Sequence, residues 1–440
     1  MLNTKIKLSL GLIALATASA IGLNARAQTT ANPELAIARN WTGLTLQLVR
    51  HTATYSPPVA SRSFAYLGVT LHEITAARSS SLRTLAGQLN GFKGVPQPDS
   101  KLTYDTATIV EGALSSAVPK LFSNTGPSGQ RAMDLTQKKI QKELEAQVSK
   151  DVLSRSLEYG ASVAEAVYQW SLNDGGANVE NMGFPQSYPK ASKPGEWVPT
   201  NVIVQQQTPL LPKWGENRTF ALTNAKDCKL SAPPEYSSEK TSAFYKEALE
   251  VYDTTKALTP EQKAIARFWS DDPMLSPTPP GHWISILLQL TEKDSSLEKF
   301  AEGYARLGIA LADSFIACWD TKFEYKLLRP LTYIQRVIDP KWTPLLNTPP
   351  FPEYPSGHST QSGAAAAVLT KMMGENYAFT DNTHSADGLK PRAYKSFWAA
   401  AEEAGISRLY GGIHYRSAVE RGLEQGKCVG AKVNALKFKR

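Results

Sequence analysis

The chain has 440 residues, of which 42% are hydrophobic, and 48 basic against 40 acidic residues give it a formal net charge of +8. That hydrophobic fraction is sufficient for a large core. The basic residues are dispersed among acidic ones without a polybasic run, so nucleic-acid binding is not expected. No segment after residue 27 is long and apolar enough to cross a bilayer.

Residues 1–27 have the pattern of a secretory signal peptide. Lys5 and Lys7 precede an apolar run, and Ala25 and Ala27 supply the small residues of a cleavage site. The sequence therefore predicts an exported protein, periplasmic or secreted, that is not embedded in a membrane. It does not fix the oligomeric state, and a homo-oligomer is left open.

The rest of the chain is predicted to be almost entirely helical, and strand-like alternation is best at 200–207. Helical spacing of apolar residues is found over 33–52, 58–78, 105–121, 130–173, 239–256, 260–270, 283–293, 295–319, 359–374, 391–404 and 416–436. Residues 175–235 are rich in Gly, Asn and Pro, which excludes a long helix there. We expect this segment to connect an N-terminal helical half, 28–235, to a C-terminal half, 236–440, packed as one unit.

The chain has three cysteines, and the predicted export would place them in an oxidising compartment. Cys228 and Cys428 lie in polar, loop-like contexts, so a disulfide between them is a candidate that the sequence alone leaves open. Cys318 lies in an apolar helical segment and is expected to be a buried free thiol.

The first cationic block is CWDTKFEYKLLRP, residues 318–330. Lys322 and Arg329 are two helical turns apart, which places them on one helix face about 10 Å apart along the axis. Pro330 is expected to end that helix. A solvated basic stripe that includes Lys326 is the simpler explanation when this block is considered alone.

The second block is PEYPSGHSTQSGAAAAVL, residues 352–369. Its prolines keep the approach extended, and the small residues after Ser359 favour a helix, so Ser356 falls near a helix start. A helix start has unpaired N–H groups and the positive end of the dipole, which suits an anion. The alternative is that Ser356 or Ser359 only caps the helix.

The third block is GISRLYGGIHYRSAVERG, residues 405–422. Arg408 and His414 flank Gly411 and Gly412 in an otherwise apolar segment. A cation in such surroundings needs a partner, because burial of an unpaired charge is costly. Taken together, the three blocks predict a receptor for a small tetrahedral oxyanion. Its groups are Lys322, Arg329, Ser356, the Gly357 amide, His358, Arg408 and His414.

These blocks resemble the signature of the vanadium-dependent haloperoxidase and type 2 phosphatidic acid phosphatase superfamily. The resemblance rests on Lys-x6-Arg-Pro, Pro-Ser-Gly-His and Ser-Arg-x5-His in this order, and its blocks cover residues 322–414. It implies an all-α fold of two four-helix bundles packed together, with the oxyanion site in the C-terminal bundle.

The resemblance also implies an activity. In a haloperoxidase, vanadate occupies the pocket, although phosphate also fits, and hydrogen peroxide, halide and a small organic acceptor are the substrates. It implies that His414 is the vanadium ligand, that His358 is the acid–base residue and that Lys322 polarises the peroxide. Trp319 and Phe351 match the family's halide-site aromatic positions.

Two alternatives stay open beside the haloperoxidase. One is a periplasmic acid phosphatase that attacks phosphomonoesters with His414 and forms a phosphohistidine. The other is an inert anion-binding or scaffold protein. The whole helical half before the signature favours the haloperoxidase, because simple acid phosphatases of the superfamily are much shorter, and lipid phosphatases carry membrane spans.

One position departs from the family pattern. Ala418 stands where the family commonly has an aspartate one helical turn after the last histidine. A metal-bound histidine normally needs an acceptor for its other ring nitrogen. Glu403 and Glu420 are the nearest acids, but neither has the right offset, so a backbone carbonyl or another acid is expected to serve.

Five further positions have other expected roles. Asp271 or Asp272 was a candidate partner for a site arginine or a helix cap. His51 and His72 are expected to be structural or surface residues, and His282 is a candidate helix cap.

Overall fold

The computed structural model describes residues 32–177, 183–200, 207–292 and 295–440. Within these residues the prediction of an all-α fold is confirmed, because one short hairpin accompanies thirteen α-helices. The helices are α1 Pro33–Arg50, α2 Pro57–Ala76, α3 Thr106–Leu121, α4 Pro127–Glu145, α5 Lys150–Ser171, α6 Ala243–Lys256, α7 Pro260–Phe268, α8 Thr278–Leu290, α9 Leu297–Tyr325, α10 Pro330–Val337, α11 Gly357–Met373, α12 Phe397–Tyr410 and α13 Arg416–Ala435. Strands β1 Phe379–Asp381 and β2 Arg392–Tyr394 pair antiparallel.

The predicted signal peptide lies outside the described residues, as do residues 201–206 of the predicted strand. None of the described helices is both long and apolar enough to span a membrane.

Helix α9 is the centre of the molecule. It is buried along most of its length and packs against α2 on one side and against α11 and α13 on another. Gly68 of α2 permits the close approach, because a Cβ there would lie 2.8 Å from the Tyr304 carbonyl oxygen. One continuous core therefore includes helices from both halves of the chain. The boundary at 235/236 and the division into two four-helix bundles stay predictions.

A second close contact positions the start of α11. Gly422 and Gly426 of α13 face α11, where a Cβ on Gly422 would lie 2.8 Å from the Ser356 carbonyl oxygen. A Cβ on Gly426 would lie 2.1 Å from that of Thr360. Only glycine allows these backbones to pack at that distance. The packing thus fixes the N-terminus of α11, where three predicted site residues lie, Ser356, Gly357 and His358.

The described parts of the 175–235 connection lie over the C-terminal end of α9. The Leu210 amide donates to the Pro350 carbonyl at 2.9 Å, and the Trp319 indole donates to the Leu210 carbonyl at 3.2 Å. The Tyr354 hydroxyl donates to the Ser231 carbonyl at 2.7 Å. The connection therefore packs against the segment that leads into α11.

Several predicted boundaries were wrong. The span 130–173 is two helices, α4 and α5, separated at 146–149. The segment 391–404 begins as strand β2, and its helix starts at Phe397 because Ser396 caps it. Helix α10 was missed altogether.

The candidate disulfide is present. Cys228 and Cys428 are bonded across a sequence separation of 200 residues, which ties the connection to α13. Cys318 is a buried free thiol, as predicted.

Candidate active site

The three cationic blocks meet at one end of the core. Lys322 lies in the last turn of α9, and Arg408 lies near the end of α12. His414 follows in the turn between α12 and α13, while Ser356 and His358 lie at the start of α11. The fold therefore brings together residues that are far apart in the sequence.

The predicted helix over Lys322 and Arg329 was wrong. Helix α9 ends at Tyr325, and Lys326 adopts a left-handed conformation with φ 49°. The chain then runs extended, and Arg329 is the N-cap residue of α10 with Pro330 in its first turn. Proline is favoured there because the first helical N–H has no intrahelical partner. Pro330 thus starts a helix instead of ending one.

Arg329 is anchored by the backbone and by His414. Its Nε donates to the Phe351 carbonyl at 2.8 Å, and its Nη1 donates to the Ile413 carbonyl at 3.0 Å. The same Nη1 lies 3.1 Å from Nε2 of His414. Burial lowers the pKa of Arg329 to about 10, so the guanidinium stays charged at neutral pH.

Arg408 is held similarly, since its Nη1 donates to the Trp269 carbonyl at 2.8 Å. Burial lowers its pKa to about 10 as well. Within the described part of the chain, Nη2 of Arg329 and Nε of Arg408 are fully buried without a hydrogen-bond partner. Buried charged donors without an acceptor are costly, so these two groups indicate a site for an anion.

Lys322 donates all of its hydrogen bonds to backbone carbonyls. Its ammonium donates to the carbonyls of Pro352, Glu353 and Pro355 at 2.8, 2.9 and 2.6 Å. Burial lowers the pKa of Lys322 to about 7. The side chain therefore orders the loop before α11 and contributes charge that depends on pH.

The N-terminus of α11 is capped by a side chain and carries the positive end of the helix dipole. The Ser356 hydroxyl accepts from the Ser359 amide at 3.3 Å, so this side chain caps the helix, and its role in anion binding stays a prediction. Gly357 begins the helix, and a Cβ there would lie 3.6 Å from the Phe315 ring and 3.7 Å from the Trp319 ring. The helix dipole directs its positive end toward this junction.

His414 is oriented by a carboxylate that the sequence analysis missed. Oε1 of Glu353 accepts from Nδ1 of His414 at 2.8 Å and from the Tyr415 amide at 2.9 Å. With its proton on Nδ1, His414 presents the lone pair of Nε2 toward Arg329. Burial, together with Arg329 and Lys322, lowers the pKa of His414 well below its usual value, so the ring is neutral.

The expectation of another acid or a carbonyl is thus met by Glu353, and not by the two acids nearest in sequence. Glu403 accepts from Arg392 at 2.6 Å, and Glu420 lies 3.7 Å from Arg416 at the surface. Ala418 itself is fully buried. The sequence signal for this role was a single acid, Glu353, inside the proline-rich segment that leads into α11.

Glu353 is also a buried carboxyl whose charge depends on pH. Burial raises its pKa to about 8, although Arg329 and Lys322 lower it. The carboxyl therefore changes its charge just above neutral pH, in direct contact with the His414 ring.

His358 lies beside Asp271 at the start of α11. Its Nε2 is 3.7 Å from Oδ2 of Asp271. Burial and Arg408 lower the pKa of His358 to about 4, so the ring is available as a base. The N-cap residue of α8 is Pro277, so neither Asp271 nor Asp272 caps that helix.

The two predicted halide-site rings are in contact. The Trp319 and Phe351 ring centroids are 4.9 Å apart, and the Arg329 guanidinium carbon lies 4.9 Å from the Phe351 centroid. The assignment of these rings to halide stays a prediction.

Three histidines that were not expected to take part in the reaction lie in different surroundings. His51 is exposed at the end of α1. His72 is in the core, where its Nε2 faces the Arg83 carbonyl at 2.8 Å. His282 does not cap a helix, because it lies buried inside α8.

Comparison with known proteins gives consistent matches. A family profile described as the VCPO second helical-bundle domain matches residues 303–439. A vanadium chloroperoxidase from Curvularia inaequalis is 25% identical over an alignment of 395 residues, and the match covers 76% of this chain. The match spans 64% of that curated relative, which is less than two thirds of its length.

Solved structures extend the match over nearly the whole chain. A holo-type bacterial vanadium-dependent chloroperoxidase shares the fold at 16% identity, with a TM-score of 0.66 over 87% of this chain and 91% of the other. The first bacterial vanadium-dependent iodoperoxidase structure is 38% identical with a TM-score of 0.83, over 92% of this chain and 97% of the other. The protein therefore belongs to the vanadium-dependent haloperoxidase family of enzymes.

Proposed function

We propose that the protein is an exported, vanadate-dependent haloperoxidase that oxidises halide with hydrogen peroxide. The observation that carries the proposal is the buried cluster of donor groups around His414. Its Nδ1 is hydrogen-bonded to Glu353, its Nε2 is directed inward, and the buried Arg329 and Arg408 have unpaired donors. Export rests on the sequence pattern of residues 1–27.

The donor set fits vanadate. Arg329, Arg408 and the partly charged Lys322 would neutralise a multiply charged tetrahedral anion. The amide at the start of α11 and the Ser356 hydroxyl would hydrogen-bond its oxygens, and a neutral His414 would donate its lone pair to vanadium. When bound, vanadate supplies a Lewis acid that withdraws electrons from peroxide without a change of oxidation state. Phosphate has the same shape and would compete.

The chain's own residues would then organise the reaction. Hydrogen peroxide, halide and one proton give hypohalous acid and water, so the O–O bond breaks and halide loses two electrons. His358 would exchange protons with peroxide and water at the start of α11. Lys322 and the two arginines would stabilise the charge that develops on the leaving oxygen.

The halide and acceptor are proposed from the comparisons and the site. Iodide is the first substrate to test, because the relative at 38% identity is described as an iodoperoxidase. Trp319 and Phe351 are the proposed wall of the halide site. A small organic acceptor would then react with the hypohalous acid that is released.

The proposal is tested with protein dialysed against orthovanadate. We expect hydrogen peroxide to oxidise iodide to triiodide and to support bromination with bromide, and phosphate to inhibit competitively. Arg408→Gln should lose most of this activity, whereas Arg421→Gln, which removes an exposed cation paired with Glu424, should retain it. Hydrolysis of p-nitrophenyl phosphate alone, inhibited by vanadate, would replace the haloperoxidase with the phosphatase.

A further inference from the structure

A second cluster of metal-ligating side chains lies beside the site. Asp271 follows α7, His282 belongs to α8, and His384 follows β1. All three are buried, with 2%, 0% and 5% of their surfaces exposed. Oδ1 of Asp271 lies 2.9 Å from Nδ1 of His282 and 3.2 Å from Nε2 of His384. We name this set the Asp271 cluster.

The spacing of these atoms suits a metal ion. The three ligand atoms lie within 4.8 Å of one another. A tetrahedral zinc ion with bonds of about 2.0–2.2 Å holds neighbouring ligand atoms roughly 3.3–3.6 Å apart, so Asp271 and His282 would separate by a few tenths of an ångström to bind it. Two imidazoles and one carboxylate are also a ligand set that zinc accepts.

The outer nitrogens of both histidines strengthen this interpretation. Nε2 of His282 lies 2.7 Å from Oδ2 of Asp381, and Nδ1 of His384 lies 3.2 Å from Oδ2 of Asp387. A carboxylate on the far nitrogen is the usual partner of a metal-bound histidine, because it fixes the tautomer that directs a lone pair at the metal. Both lone pairs would then converge near Asp271.

The cluster holds more negative than positive charge when its histidines are neutral. Asp271 and Asp381 are both buried, while Asp387 has its own partner in Arg50. With neutral histidines, two buried carboxylates would be uncompensated, which is strongly unfavourable. A divalent ion supplies the missing charge, and so would protonation of both rings. Oδ2 of Asp271 is moreover fully buried and has no hydrogen bond within the described residues, so it is free for a cation.

We propose that Asp271, His282 and His384 bind one zinc-class divalent ion. Aromatic side chains enclose the site, since the Trp269 ring stacks on His282 at 4.3 Å and the Phe268 ring packs against both histidines. The ion ties the hairpin to α8 and to the loop after α7. It also holds Asp271 in place beside His358, 3.7 Å away.

The experiment does not depend on the proposed activity, because it uses protein without vanadate. We expect protein purified without chelator to contain one zinc per chain by plasma mass spectrometry. Loading with Co²⁺ should give the visible absorption of a nitrogen- and oxygen-ligated ion, and Tm should rise with added zinc. His384→Gln should abolish the stoichiometric metal, and the exposed His51→Gln should retain it.

A milder substitution tests the proposal even if His384→Gln does not fold. Asp387→Asn removes the outer carboxylate and its partly exposed ion pair with Arg50, so zinc affinity should fall by about 10–100-fold while the chain stays folded. If wild-type protein contains less than stoichiometric metal, and neither zinc nor Co²⁺ binds, the proposal is wrong and protons balance the cluster. Unchanged affinity in His384→Gln would also overturn it. Neither outcome affects vanadate binding at His414.

Discussion

Replacement of Glu353 by glutamine tests how the histidine ligand is oriented. Glu353→Gln keeps the size of the side chain and an oxygen that can accept from His414 and Tyr415. It removes the negative charge that strengthens the bond to Nδ1 of His414. Because burial raises the pKa of Glu353 to about 8, this charge is present in the wild-type protein only above that pH.

The expected magnitude follows from the loss of one charge-assisted hydrogen bond. A bond to a charged group contributes about 1.5–3 kcal/mol and a neutral one about 0.5–1.5 kcal/mol. The difference of roughly 1.4 kcal/mol corresponds to about tenfold in the vanadate dissociation constant. We therefore expect the ratio of variant to wild-type dissociation constants to rise toward about tenfold as the pH passes 8.

Equilibrium dialysis against vanadate at matched pH values measures this ratio, in which the titration of vanadate itself cancels. Glu420→Gln is the control, because that carboxylate is exposed and lies on the surface of α13. A ratio of one at every pH would refute the role assigned to Glu353, as would an equal loss in Glu420→Gln.

Three further outcomes are expected. Burial lowers the pKa of Lys322 to about 7 and a bound anion favours its charged form, so sulfate affinity should fall as pH rises above 7. Lys322→Met should weaken that dependence in equilibrium dialysis with sulfate and leave the part that Glu353 contributes. Reduction of Cys228–Cys428 releases a link across 200 residues, so urea unfolding should show a loss of about 2–5 kcal/mol. Gly426→Ala should force α13 away from α11 and lower stability by about 1–3 kcal/mol, whereas Gly43→Ala, with open space at its Cβ, should leave Tm unchanged or raised.

Much of the site could be predicted because its signals are local. The helix start at Ser356 follows from proline and small-residue patterns over a few positions. The isolated cation Arg408 in an apolar segment predicted a buried charge, and it is 3% exposed. The order of the blocks, which matches the family signature, then indicated that they form one site.

Other features depend on contacts that spacing does not encode. Glu353 reaches His414 across 61 residues, so no local pattern pairs them. Pro330 is compatible with both the end and the start of a helix, and the tertiary contacts of Arg329 decide between them. The Asp271 cluster is assembled from three separate segments, and its histidines carry no recognisable metal-binding spacing.

The central claim is that His414 holds vanadium while His358 transfers protons. The most direct measurement is the vanadium content per chain after gel filtration of orthovanadate-loaded protein, alongside the rate of iodide oxidation. We predict that His414→Ala loses the vanadium, and that His358→Ala retains it but loses most turnover. Equal loss of vanadium in both variants, or retention in His414→Ala, would contradict this division of roles.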